Sequence, residues 1–141
     1  LCTFMIAQGI PLERLSDGIP RILVIDDDTY YLDIIQDAFS AEKDILLYTA
    51  STAFEAGALL IEHNPHLIIL DLKHSELSAS LLKERAKART ETSDTPILGL
   101  AVLTEEGQTS PQAQYCDHLL AKPFTASELL IQVNRLLHHE H

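Results

Sequence analysis

Apolar positions along the chain fall into two alternating patterns. Short runs such as Ile22-Leu23-Val24-Ile25 and Leu67-Ile68-Ile69-Leu70 are apolar at every position, while the longer stretches between them carry apolar residues three and four apart. An unbroken apolar run suits a parallel strand covered on both faces, and the wider spacing suits a helix packed on one of those faces. The pattern predicts strands over 21–26, 45–50, 66–70, 97–102 and 118–121. A first helix over 29–40 carries Leu32, Ile34, Ile35 and Phe39 on one side, with Asp27 or Asp28 placed to cap its start. Thr52 with Glu55, and Thr125 with Glu128, have the spacing of capping boxes. They open a second helix ending near His63-Asn64-Pro65 and a last one running to His138. A third helix is expected over 78–89, built on Leu81-Leu82. A fourth, between Thr104 and Cys116, is interrupted by Gly107 and Ser110-Pro111.

Strict alternation of strand and helix requires right-handed crossovers. The fold class is therefore α/β, a doubly wound five-stranded parallel sheet in the order 2-1-3-4-5. In such a sheet, ligands bind beyond the carboxyl ends of the strands where the winding reverses, here beside strands one and three.

Composition narrows the functions that site could serve. At 141 residues there is room for one domain, and 21 acidic against 10 basic residues give a formal charge of −11. Such a surface repels phosphate backbones and anionic membranes, which argues against nucleic-acid binding by this chain itself. Its apolar runs are far shorter than a bilayer span, and no secretory leader pattern opens the chain. Cys2 and Cys116 are too far apart for a metal-ligand motif and read as free thiols in a reducing compartment. A soluble, cytoplasmic protein with no membrane partner is the expectation. The chain starts at Leu1, without a methionine, and reads as a piece of something longer.

The predicted strand ends carry the chemistry. Strand one ends in Asp26-Asp27-Asp28, strand three in Asp71, and strand five in Lys122-Pro123. Clustered carboxylates raise one another's pKa unless a cation lies among them, and hard oxygen donors in this number suit Mg²⁺. A metal there would screen Asp71 from an approaching phosphoryl group, and Lys122 could neutralise a phosphoryl oxygen. Taken alone, the acidic run is equally a helix N-cap complementing the dipole.

The segments Arg-Ile-Leu-Val-Ile-Asp-Asp-Asp (21–28), Leu-Ile-Ile-Leu-Asp-Leu (67–72) and Leu-Ala-Lys-Pro-Phe (120–124), with 44 residues from Asp27 to Asp71 and 51 from Asp71 to Lys122, resemble the receiver domain of two-component response regulators. The resemblance covers 20–138. It implies a flavodoxin-like receiver in which Asp71 accepts a phosphoryl group from a sensor histidine kinase or a phosphotransfer protein. It further implies that Asp26, Asp27, Asp71 and the backbone carbonyl of Lys73 hold Mg²⁺, and that Lys122 stabilises the phosphoryl group. Such a domain is not an enzyme beyond autophosphotransfer and self-dephosphorylation; it pairs as a homodimer and controls an output, here transcription. Two switch positions depart from the family pattern. Ala101 stands where the family has Ser or Thr, and Leu119 where it tends to have an aromatic residue. The loop after the acceptor carries His74, Ser75 and Ala79 in place of the usual Met-Pro and Gly, so it should be differently shaped. These departures leave a second reading, a degenerate pseudo-receiver acting as a phosphorylation-independent dimerisation or protein-interaction module.

Residues 1–20 divide from a receiver over 21–141. Leu1, Phe4 and Met5 share a helical face that Gly9-Ile10-Pro11 ends, and the string resembles the tail of small excisionase-like helix-turn-helix domains. On that reading DNA is bound only through a domain absent from this chain. The histidines of 138–141 read as a solvated helix end. A haloacid dehalogenase-type phosphohydrolase fails at Tyr30, where its motif needs Thr or Val. A flavodoxin-like carrier fails at the acidic first loop, which would repel a cofactor phosphate.

Overall fold

The computed structural model describes residues 19–42, 44–74, 76–102 and 111–138. Within them lie five strands, β1 (Arg21–Ile25), β2 (Leu46–Ala50), β3 (Leu67–Asp71), β4 (Ile97–Ala101) and β5 (His118–Ala121). Four α-helices alternate with them: α1 (Thr29–Phe39), α2 (Ala53–His63), α3 (Ala79–Lys87) and α4 (Ala126–Leu137). All pairings are parallel, in the order β2-β1-β3-β4-β5, as the alternation predicts.

Two-sided coverage explains why the central strands are apolar throughout. Ile22, Val24, Leu67, Ile69, Leu98 and Leu100 face Ile35 and Phe39 of α1 and Leu129, Val133 and Leu136 of α4. Their sequence neighbours Leu23, Ile25, Ile68, Leu70 and Ile97 turn to the opposite face, against Ala56 and Leu60 of α2 and Leu82 of α3. Every residue of β3 and β4 is buried, whereas only Ala50 is buried in the edge strand β2. Both predicted capping boxes form, at Thr52 with Glu55 and at Thr125 with Glu128. Helix α2 stops at Asn64, whose φ of 47° makes it the one left-handed non-glycine residue among those described.

The stretch predicted as a fourth helix is different. Its described part, Pro111–Tyr115, is a 3-10 helix with no buried residue. With only Ala113 of these five residues packed on the core, so short a segment does not hold an α-helix, because nucleation costs more than so few hydrogen bonds return. A second 3-10 turn, Thr90–Thr92, follows α3 and buries Thr92, whose hydroxyl donates to the Ala86 carbonyl at 2.7 Å. The expectations for 1–18, 103–110 and 139–141 lie outside the described residues. No helix among those described is long and apolar enough to cross a membrane. Cys116 is a free thiol, and burial pushes its pKa up to about 11, so it is a poor nucleophile.

β4 is closely packed at Gly99. A Cβ there would lie 2.7 Å from Cys116 Sγ, 3.0 Å from Leu119 Cδ2 and 3.1 Å from Leu72 Cδ1. Gly→Ala in a strand ordinarily gains about 0.4–1 kcal/mol from the unfolded state, but overpacking costs about 1–3 kcal/mol, so crowding wins. Gly99→Ala is expected to lower the urea midpoint, with Gly99→Val lowering it further.

Candidate functional site

The topology gathers the predicted residues at one edge. β1 and β3 are neighbours with Ile25 opposite Leu70, so the next residues, Asp26 and Asp71, emerge side by side. β5 lies beyond β4, and the Lys122 backbone N–H donates to the Ala101 carbonyl at 2.8 Å, which fixes where the lysine leaves the sheet. Its ammonium reaches back across the strand ends to Asp26 Oδ2 at 3.0 Å and Asp71 Oδ1 at 3.5 Å. Asp26 is fully buried, Asp71 is 5% exposed, and the Lys122 side chain is 6% exposed. The three carboxylates Asp26, Asp27 and Asp71 each offer an oxygen within 4.8 Å of the others, and Asp27 opens the cluster to solvent. The acidic run thus divides its labour. Asp28 is the N-cap, accepting from the Tyr30 N–H at 3.0 Å, and its own N–H donates to Asp26 Oδ1 at 2.9 Å.

Charge is unbalanced in this cluster. Burial pushes the Asp26 carboxyl up to about 6, and the charge of Asp71 adds to that, while the Asp28 N–H and the Lys122 ammonium pull the other way. Three carboxylates against one ammonium leave room for a hard cation, and the donor set fits Mg²⁺ with one solvent-facing ligand.

Comparison with known proteins agrees with this geometry. The DNA-binding dual master transcriptional regulator RpaA of Synechocystis sp. is 33% identical over 125 residues, a match covering 84% of this chain and 49% of RpaA. A response regulator from Desulfuromonas acetoxidans superposes with a TM-score of 0.69 at 25% identity, covering 84% of this chain and 96% of that one. The chain is a response-regulator receiver domain. Its fold also matches the receiver domain of the sensor histidine kinase PA1611 from Pseudomonas aeruginosa, at 18% identity with a TM-score of 0.71 over 84% of this chain and 98% of that one; that structure has a magnesium ion coordinated in its active-site cleft. No family model matches the chain. It spans about half the length of the curated relatives it matches.

Around the receiver's acidic cluster, the remaining predicted positions are placed as follows. The Lys73 N–H donates to Asp71 Oδ1 at 3.2 Å, holding the loop that follows against the carboxylate. Ala101 ends β4 buried and without a hydroxyl, and Leu119 is half-buried in the apolar cluster that also contains Leu72. Two features were not anticipated from the sequence. The first is a tie from the loop after Asp71 to the start of α2. His74 is buried, its Nδ1 accepts from the Glu76 N–H at 3.1 Å, and its Nε2 therefore carries the proton and donates to the Ser51 carbonyl at 2.9 Å. Glu76 completes the tie by accepting from the Ala53 N–H at 2.8 Å. The second is Tyr31, whose ring lies 4.0 Å from the Lys122 ammonium and packs on Phe124 with centroids 5.6 Å apart. An aromatic residue in the first turn after an acidic strand end was the only available signal for it.

The raised Asp26 pKa fixes a pH dependence for the metal-free domain. The folded state holds this proton to about pH 6 whereas the unfolded chain releases it near 3.8, so this group's contribution to stability falls as pH rises through that window. Urea unfolding without metal should show stability declining by about 1–3 kcal/mol between pH 4 and 7 from this group. Asp26→Asn should remove that decline; an unchanged slope in the variant would assign it elsewhere.

Proposed function

We propose that Asp71 is the phosphoacceptor of this receiver in two-component signalling. The observation that carries this reading is a carboxylate 5% exposed at a strand end, with an ammonium 3.5 Å away and two further carboxylates close enough to share a cation. In the reaction, an Asp71 carboxylate oxygen attacks the phosphorus of a phosphohistidine on a sensor histidine kinase or phosphotransfer protein. A P–O bond forms, the P–N bond breaks, and the leaving imidazole keeps the bonding electrons and takes up a proton. Asp26, Asp27, Asp71 and the Lys73 carbonyl would hold Mg²⁺, which when bound neutralises the charge that otherwise keeps a phosphoryl group away from Asp71. Lys122 would supply further positive charge beside Asp71, and the buried strand ends would exclude water from the acyl phosphate.

The wider context belongs to the same proposal. The receiver occupies 21–141 of a longer cytoplasmic response regulator, pairs as a homodimer, and regulates transcription through a DNA-binding domain outside this chain. Ala101 and Leu119 favour a second reading, a pseudo-receiver that dimerises without being phosphorylated.

One experiment separates the two. Intact-mass measurement after incubation with acetyl phosphate and Mg²⁺ should show one added phosphoryl group, absent in Asp71→Asn and absent without Mg²⁺. An unreacted protein, beside a control receiver that reacts, would leave the pseudo-receiver reading. Because Asp26 must lose its proton to take a cation, Mg²⁺ affinity measured by calorimetry should fall as pH drops below about 6.

A further inference from the structure

The ammonium of Lys122 is nearly sealed from water and lies against two carboxylate oxygens, Asp26 Oδ2 at 3.0 Å and Asp71 Oδ1 at 3.5 Å. An ammonium has three N–H donors. A further direction is taken by the face of Tyr31, with its ring centroid 4.0 Å from Nζ. That ring is itself held in place. Tyr30, its neighbour in the first turn of α1, packs on it edge-on with centroids 5.2 Å apart, and Phe124 packs on it at 5.6 Å, tying that turn to the segment that follows β5.

We propose that Tyr31 is a positioning residue for Lys122, its ring holding the ammonium beside Asp71 and letting it shift toward an arriving phosphoryl group. The proposal rests on the phosphoacceptor reading of Asp71 and adds a residue to it. Once an Asp71 oxygen is esterified, the ammonium must change partners, and a partner with strict hydrogen-bond geometry would hold it back. An aromatic face attracts a cation through its quadrupole over a broad area, and the attraction is strongest where water is excluded, as it is here. The ring thus accompanies the ammonium over a range of positions. Ala101 makes this more important than it would otherwise be. With no hydroxyl at the end of β4 to bond a phosphoryl oxygen, more of the phosphoryl charge falls to Lys122. The tie between the Lys122 N–H and the Ala101 carbonyl fixes only the backbone of that lysine, leaving the aim of its long side chain to Asp26 and Tyr31.

The test compares phosphoryl uptake from acetyl phosphate at saturating Mg²⁺ in the wild type, Tyr31→Phe, Tyr31→Leu and Tyr31→Met, with thermal midpoints measured alongside. Phe keeps the ring and should react within about twofold of wild type, whereas Leu and Met keep apolar bulk without the ring and should react about fivefold more slowly at similar midpoints. A structural role alone would instead track the midpoints. A second measurement needs neither variant folding nor phosphorylation: in the wild-type NMR spectrum, the ε-methylene protons of Lys122 should be displaced upfield by the ring current. An undisplaced Lys122 signal overturns the proposal, and so does a Leu variant that reacts like wild type. A wild type that takes up no phosphoryl group overturns the phosphoacceptor reading and this proposal together, which distinguishes it from the case in which only the ring is idle.

Discussion

The cost of burying two carboxylates and one ammonium at the end of a hydrophobic sheet governs this structure. Isolated charges in such a place are strongly unfavourable, and they persist only when paired and hydrogen-bonded. Every local feature of the sheet edge serves that requirement. Asp26 takes the Asp28 N–H on one oxygen and the Lys122 ammonium on the other, and Asp71 takes the Lys73 N–H and shares the same ammonium. The pairing is nonetheless incomplete. A carboxyl raised to about 6 records an environment better suited to one more positive charge than to the groups already present.

That imbalance needs a rigid scaffold, and the fold supplies one. Strands β1 and β3 are buried along almost their whole length by helices on both faces, so the positions of Asp26 and Asp71 are set by continuous packing and do not depend on a loop. Lys122 follows a more exposed strand, two places from β3 and three from β1, and is brought in by its bond to the neighbouring β4 end. The carboxylates Asp26 and Asp71 are therefore the stiff part of the site. The lysine, on a long side chain, is the part able to respond.

What was legible in the sequence follows the same division. Uniformly apolar runs announced two-sided burial, and with it the strand order and the edge where the carboxylates meet. Capping boxes located two helix starts because their chemistry is local, four residues at a time. The resemblance placed Asp27 in the cluster, but the helix cap stayed open between Asp27 and Asp28, because both have suitable side chains and only the chain direction at the end of β1 separates them. In the stretch 104–116 the breakers Gly107 and Ser110-Pro111 were legible, and the described part, Pro111–Tyr115, is a 3-10 helix in place of an α-helix. Tyr31 and the His74 tie escaped for a different reason: each acts through a partner at least 23 residues away, and no local pattern encodes such a pair.

These distant contacts also bear on how a receiver lacking the hydroxyl and aromatic pair could connect its acceptor to its surface. From Asp71 two routes lead outward in this chain. One passes through Lys122 and Tyr31 to Tyr30, which is 65% exposed on α1. The other runs along the loop after Lys73 through His74 to Ser51 and the start of α2, where Phe54 is 85% exposed. The second is a chain of hydrogen bonds that could be broken only by leaving polar groups unpaired, at roughly 1–3 kcal/mol for each buried one. The first asks only that an ammonium slide across a ring face. The cheaper displacement is the slide of the ammonium, and it lies on the route that ends at Tyr30 of α1.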